Sequence, residues 1–241
     1  MKRFATAFVF YSMRALTRAV VFTFGRWEVV NAANLPADGG IVLVCNHQHL
    51  LDPPLVAASA SRRVHPMAKR ELFETPLIGW ILWAYGAFPV RRYSADIGAL
   101  RTARNHLRGG AVVLMFPEGT RSREGEGMKP ALRGAAMVAL LAGVPIVPVA
   151  ITGTEQIRLP SVLFRWIRRN RLYLRVEFGE PFTLPQQEAG ARQAEEATDF
   201  MMRKVVDLLP ERHRGAYGAS TLGTIVFARQ EQPGESQEAR D

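Results

Sequence analysis

The chain holds one cysteine, Cys45, in 241 residues. That excludes an intramolecular disulfide framework and any multi-cysteine metal centre. No uncharged run reaches the ~20 residues that cross a bilayer, because Arg14 and Arg18 interrupt the mostly apolar stretch from Phe4 to Phe24. A polytopic membrane protein is therefore excluded. There is no internal repeat. There is no Gly-x-Ser-x-Gly elbow either, which removes the serine-hydrolase signature. Acidic residues are scarce: 22 Asp+Glu stand against 31 Lys+Arg, a net charge of +9. Such an excess points to an anionic partner, whether nucleic acid, a phosphorylated substrate or an anionic membrane surface. With 48% hydrophobic residues, the chain is neither wholly disordered nor collagenous.

The N-terminus begins like a secretory signal, Met1-Lys2-Arg3 followed by the apolar run Phe4 to Met13. No small-x-small cleavage site follows, and basic residues do. Arg3, Arg14 and Arg18 fall within about 60° on a helical wheel. This predicts an interfacial helix with a narrow cationic stripe; the plainer alternative is a core helix whose stripe faces solvent. A second apolar stretch, Pro76 to Tyr85, is too short to span and suits an interfacial belt, an acyl pocket or a buried helix.

Short apolar runs predict strands at Gly40–Cys45, Ala111–Phe116 and Val144–Ile151, with an alternating one at Leu172–Phe178. Helical stretches lie near Pro53–Ala60, Asp96–Leu107, Ala131–Ala142 and Ala189–Leu208. Alternation of the two predicts an α/β fold: a mixed, largely parallel sheet flanked by helices. Val144–Ile151 contains two prolines, which predicts an edge or pocket-wall position. The expected organisation is an interfacial helix over 1–28, an α/β domain over 29–210 and a C-terminal extension over 211–241. From Arg229 onward the net charge is −2 and apolar residues are few, so this tail is expected to be disordered.

In such sheets ligands bind beyond the carboxyl ends of the strands. After the first buried strand comes Asn46-His47-Gln48-His49-Leu50-Leu51-Asp52-Pro53. Asp52 before Pro53 suits a helix start, with Asp52 as cap. A loop turning back here would bring the Asp52 carboxylate to the His47 ring, leaving the other ring nitrogen as a base. Asp52 as a mere cap and His47 as an ordinary loop residue remain the alternative. His47-x-His49 with Asp52 lacks proper metal-ligand spacing, so no metal is expected. After the second strand comes Phe116-Pro117-Glu118-Gly119-Thr120-Arg121-Ser122, a sharp turn that offers backbone N–H groups, a hydroxyl and a guanidinium to a phosphate. Glu118 is expected to orient Arg121 or another arginine. Gly86 to Arg92 is a short apolar strand ending in two arginines, again suited to a phosphate.

Together these motifs resemble the 1-acyl-sn-glycerol-3-phosphate acyltransferases of the glycerophospholipid acyltransferase superfamily. The family's Asn-His-x4-Asp is matched by Asn46, His47 and Asp52. Its second motif is matched by Gly86, Phe88 and Arg92, with Arg91 where an acid is common. Its third, Phe-Pro-Glu-Gly-Thr-Arg-Ser, is matched throughout, and its proline-bearing strand at Val147-Pro148-Val149. Lys69-Arg70-Glu71-Leu72 looks like the family's Lys-x-Glu-Leu.

The resemblance implies transfer of a fatty acyl group from acyl-CoA or acyl carrier protein to the sn-2 hydroxyl of 1-acyl-glycerol-3-phosphate (lysophosphatidic acid), giving phosphatidic acid. His47 is then the base and Asp52 its support, with no acyl-enzyme. Arg92 and Arg121 grip the acceptor phosphate, Glu118, Gly119 and Thr120 shape the turn, and Lys69 contacts head group or thioester. No cofactor is implied. Cys45 is read as core. Partners are an anionic phospholipid membrane, on its cytoplasmic face, and the two substrates, with no nucleic acid. Another lysolipid acceptor, an acyl-thioesterase and a basic anionic-surface binding protein stay open. Phe164 to Arg171 mixes Trp166 and Ile167 with four arginines, which suits lipid head groups.

Overall fold

Apolar side chains of the strands point alternately into two helical layers. A computed structural model describes residues 2–92, 96–122, 127–168, 170–185 and 190–218. The expected disordered tail, Arg169 and residues 186–189 lie outside the described residues. The strands are β1 (Gly25–Val30), β2 (Ile41–Cys45), β3 (Val64–Lys69), β4 (Phe88–Val90), β5 (Val112–Met115), β6 (Ile146–Thr152) and β7 (Leu172–Phe178). They form one sheet in the order β1-β7-β6-β2-β5-β3-β4. β6, β2, β5, β3 and β4 run parallel; β7 is antiparallel to β6, and β1 follows β7.

The helices are α1 (Lys2–Phe24), α2 (Asp52–Ser59), α3 (Arg70–Phe73), α4 (Pro76–Tyr85), α5 (Ile97–Arg108), α6 (Gly134–Ala142), α7 (Leu159–Ile167) and α8 (Ala191–Val206). Val42 and Val44 of β2 pack with residues of α5, α6 and α8. Ile41, Leu43 and Cys45 pack on the opposite face with residues of α1, α2 and α4. β2 is thus buried on both faces, as its unbroken apolar run requires.

Two expectations need correction. First, the proline-bearing β6 is not an edge strand but lies between β7 and β2, where Ala150 and Thr152 line a cavity, the pocket-wall half of the expectation. Its missing donor is tolerated because the β6–β7 ladder stops at Val149↔Phe178. The Gly179 N–H donates to the Pro148 carbonyl at 2.8 Å, and pairing resumes at Ile146 and Phe182. Gly179 is required there, since a Cβ would lie 2.7 Å from the Pro148 ring. Second, the helix expected from Ala131 begins at Gly134. The N–H groups of Ala131 and Leu132 are taken by the Tyr217 hydroxyl and the Pro117 carbonyl.

In the cationic stripe of α1, Arg14 and Arg18 reach toward the domain, although Arg18 stays exposed. Arg18 donates to the Ala58 carbonyl at the end of α2 (2.9 and 3.1 Å) and lies over Trp27. Burial and the Arg18 charge hold the Arg14 guanidinium below its usual range, with Tyr11 and Tyr85 opposing. Arg14 and Arg18 thus lie on the side of α1 that meets the domain, while Phe8, Leu16 and Phe22 (79% exposed) point outward. From Thr6 to Phe24 the helix is long and apolar enough to cross a membrane, by length and composition alone. α4 packs beside it and exposes Leu77, Trp80 (62%) and Trp83.

Candidate active site

The carboxyl ends of β6, β2, β5, β3 and β4 share one edge of the sheet. His47 follows β2, Glu118 follows β5, Lys69 ends β3 and Arg92 follows β4. Strand direction alone thus gathers four of the residues read from the sequence.

Asn46 fixes where β2 ends. Its amide donates to the Ile151 carbonyl (2.9 Å), and its oxygen accepts the Ile151 N–H (2.8 Å). The side chain continues the ladder with β6, which frees the next residue to turn out of the sheet. From its motif alone Asn46 had a place but no task.

His47 is held on every side and is 7% exposed. Its Nδ1 lies 2.9 Å from Asp52 Oδ2. Its N–H donates to Glu118 Oε1 (2.9 Å), and its carbonyl accepts the Ser122 N–H (2.8 Å). The ring stacks on Phe116 with centroids 4.2 Å apart. Asp52 Oδ2 also accepts the N–H groups of Gln48 and His49, both at 2.7 Å. An oxygen with these donors is an acceptor toward the ring, which assigns the bonded hydrogen to Nδ1. Asp52 is not the helix cap: Leu51 is the N-cap and Asp52 the first helical residue. The carboxylate bends back into the loop, which then closes around one oxygen.

Glu118 is buried, and it joins the two motifs rather than orienting Arg121. Besides the His47 N–H it accepts the Ser122 hydroxyl (2.5 Å) and the Lys129 N–H (2.8 Å). Burial pushes its carboxyl above the usual range, and these hydrogen bonds oppose that push. Gly119 turns the chain at φ +66°, where a Cβ would sit 2.6 Å from Leu132 Cδ1. Thr120 is half-buried and Arg121 exposed beside the loop. His49, on the same loop, is held below its usual pKa by burial, and the Arg121 charge adds to that effect. Its Nδ1 accepts the Leu51 N–H at 3.2 Å.

Next to Phe116 and Gly119 opens a cavity of about 740 Å³. Met67, Val90, Leu100 and Met137 make it apolar, and Arg91, Arg92 and Arg133 give it positive charge. Asp96 accepts the Arg91 N–H (2.8 Å) and caps α5 through Ala99 (3.0 Å), which fixes the end of β4 at the cavity. Lys69 pairs with Glu71 at 3.2 Å, beside β4 rather than at His47. Cys45 is fully buried, and burial with the nearby Asp52 and Glu118 charges drives its thiol well above the usual range. It is a core side chain.

One partner of the loop left no trace in the sequence. His213 lies in the segment after α8, and its Nδ1 is 2.8 Å from Gln48 Nε2. Burial lowers its pKa, Glu155 opposing.

Residues 26–152 match the family model described as Acyltransferase. The chain is 38% identical over 130 residues to the 1-acyl-sn-glycerol-3-phosphate acyltransferase of Bacillus subtilis, covering 54% of this chain and 64% of that protein. It is 33% identical over 140 residues to the chloroplastic 1-acyl-sn-glycerol-3-phosphate acyltransferase BAT2 of Brassica napus, covering 57% and 40%. Among solved structures, the 1-acyl-sn-glycerophosphate (LPA) acyltransferase PlsC from Thermotoga maritima superposes with a TM-score of 0.62 at 26% identity, over 86% of this chain and 83% of that one. The matched stretch spans less than two thirds of these curated relatives' own length, 64% and 40%. It does contain every motif described above, and the chain belongs to the acyltransferase family.

Proposed function

We propose that this protein acylates the sn-2 hydroxyl of 1-acyl-glycerol-3-phosphate from a thioester donor, acyl-CoA or acyl carrier protein, at the cytoplasmic face of a membrane. The observation that carries this reading is the His47–Asp52 pair, 2.9 Å apart, beside an apolar cavity bearing arginines. His47 Nε2 takes the proton of the acceptor hydroxyl. The alkoxide attacks the thioester carbonyl, and the tetrahedral intermediate collapses with loss of the thiolate. That thiolate takes the proton back from Nε2, so phosphatidic acid and free thiol leave and the enzyme is unchanged. Asp52 steadies the imidazolium between the two steps. Arg92 holds the acceptor phosphate, with Arg121 and Lys69 adding positive charge at the rim. Backbone N–H groups of the two motif turns serve the oxyanion.

The membrane reading rests on the outward apolar side chains of α1 and α4, and on Leu50 (62% exposed) and Leu51 of the catalytic loop itself. Apolar residues at the mouth of the site let lipid substrates enter from the bilayer side.

The test follows free thiol released from palmitoyl-CoA, and from palmitoyl carrier protein, with and without lysophosphatidic acid. Release that needs the acceptor and disappears in His47→Ala is expected. Release without acceptor identifies a thioesterase instead, and no release from either donor rejects acyl transfer. In parallel, Trp80→Ala/Trp83→Ala is expected to sediment less with phosphatidylglycerol-containing vesicles.

A further inference from the structure

A second cavity, of about 600 Å³, opens beside the ends of β6 and β7. β6 and β7 form its floor, and the segment after α8 forms one wall. Its size is that of a small-ligand site. Its character differs from the first: Arg165, Arg171, Arg175 and Arg212 line it, with Tyr173 and Glu177.

The four guanidiniums are not equally compensated. Arg175 is neutralised by Glu28 (3.2 Å) and Glu177 (2.8 Å). The other three donate to neutral acceptors: Arg165 to Gln156 Oε1 (3.4 Å), Arg171 to the Phe22 carbonyl (3.4 Å) and Arg212 to His213 Nε2 (3.1 Å). Three guanidinium charges thus meet at one cavity, two of them on long hydrogen bonds that a better acceptor would replace. Arginine forks in this arrangement match a phosphate ester.

The cavity is tied to the chemistry on one side and to the apolar surface on the other. Arg212 touches His213, His213 touches Gln48, and the Gln48 N–H holds Asp52. On the far rim, Arg171 reaches the end of α1, where Phe24 packs on Trp166 with centroids 5.7 Å apart.

We propose that this cavity is a second anion site, which binds the phosphate ester of a ligand other than the acceptor. Two sources share that chemistry: the nucleotide end of a CoA donor, and the head group of an anionic lipid at the membrane surface. The donor assignment rests on the acyl-transfer reading; the phosphate site itself does not.

The experiment uses the full chain, its Arg165→Gln/Arg171→Gln variant and the charge-keeping Arg165→Lys/Arg171→Lys variant, in mild detergent. Binding of 3′,5′-ADP is measured by calorimetry. Sedimentation with phosphatidylcholine vesicles is measured with and without phosphatidylglycerol. A loss of at least about tenfold in nucleotide affinity in the Gln variant, with the Lys variant closer to wild type, supports the proposal and names CoA as the source. Unchanged nucleotide affinity with loss of the phosphatidylglycerol-dependent sedimentation supports it and names the lipid. If the Gln variant matches wild type on both probes, or if the Lys variant loses as much as the Gln variant, the proposal is overturned. His47→Ala is expected to bind 3′,5′-ADP as wild type does. Absence of thiol release alongside a clear Gln-variant defect would sink the acyl-transfer reading and leave this site standing.

Discussion

The backbone N–H of His47 donates to Glu118 Oε1 at 2.9 Å, across 71 residues of sequence. Glu118 therefore positions the candidate base through its main chain. Replacing it by Gln turns one acceptor into a donor facing donors. Glu118→Gln is expected to destabilise the fold by about 1–3 kcal/mol and to lower kcat about 10²-fold through misplacement of His47. Urea unfolding and steady-state kinetics on the same samples check both effects, and a kcat equal to wild type in folded protein removes the positioning role.

In the proposed mechanism Asp52 sets the tautomer of His47 and steadies its developing charge. Asp52→Asn is expected to lower kcat by about 10³–10⁴-fold with the acceptor KM little changed. A KM effect without a kcat effect would mean that Asp52 only shapes the loop.

Asn46→Ala strips both partners from the buried Ile151 N–H and carbonyl. The expected loss of stability is about 2–4 kcal/mol. It is read as a lower urea midpoint at an unchanged m-value.

Gly119→Ala meets two separate penalties, a positive φ and a Cβ 2.6 Å from Leu132 Cδ1. The φ penalty alone is about 1–2 kcal/mol. Adding Leu132→Ala is expected to recover the contact penalty and not the φ penalty, so a double-mutant cycle should show favourable coupling. Additive losses would contradict the packing account.

His65 is partly buried beside His106, and burial lowers its pKa to about 4. Between that value and the ordinary 6.5 the unfolded chain binds a proton that the folded chain does not. Stability therefore rises with pH through this window and is lost as pH falls through it. The contribution is of the order of 2 kcal/mol once partial solvent screening is allowed for. His65→Gln is expected to flatten the slope of stability against pH between these limits, whereas an unchanged slope assigns it to other groups.

What could be read from the chain depended on how local its cause was. β2, β5, β6 and β7 were legible because burial wrote itself into short apolar runs. β1, with Arg26 and Glu28, and β3, with His65 and Pro66, were not, since pairing to a neighbour makes them strands. The His47–Asp52 contact was foreseeable from a spacing of five, and family resemblance gave it meaning. The partners of Glu118 were not legible, because beside Ser122 they are the His47 N–H after β2 and the Lys129 N–H. The link from His213 to Gln48 spans 165 residues and rests on one unremarked histidine. The reach of Arg18 to the Ala58 carbonyl was not legible for a similar reason: a helical wheel gives relative angles, not which side meets the domain.

The bond between Gln48 and His213 also has a consequence in time. During synthesis the Asn46–Asp52 loop emerges long before the segment that braces it. Met128, which follows the third motif, donates to the His213 carbonyl and accepts from Ala216, so that loop too waits for the same late segment. Domains fold as units once their long-range partners are present. A nascent chain stalled before His213 would carry every motif and still have an unfinished site, because the brace on Gln48 and the partner of Met128 would both be missing.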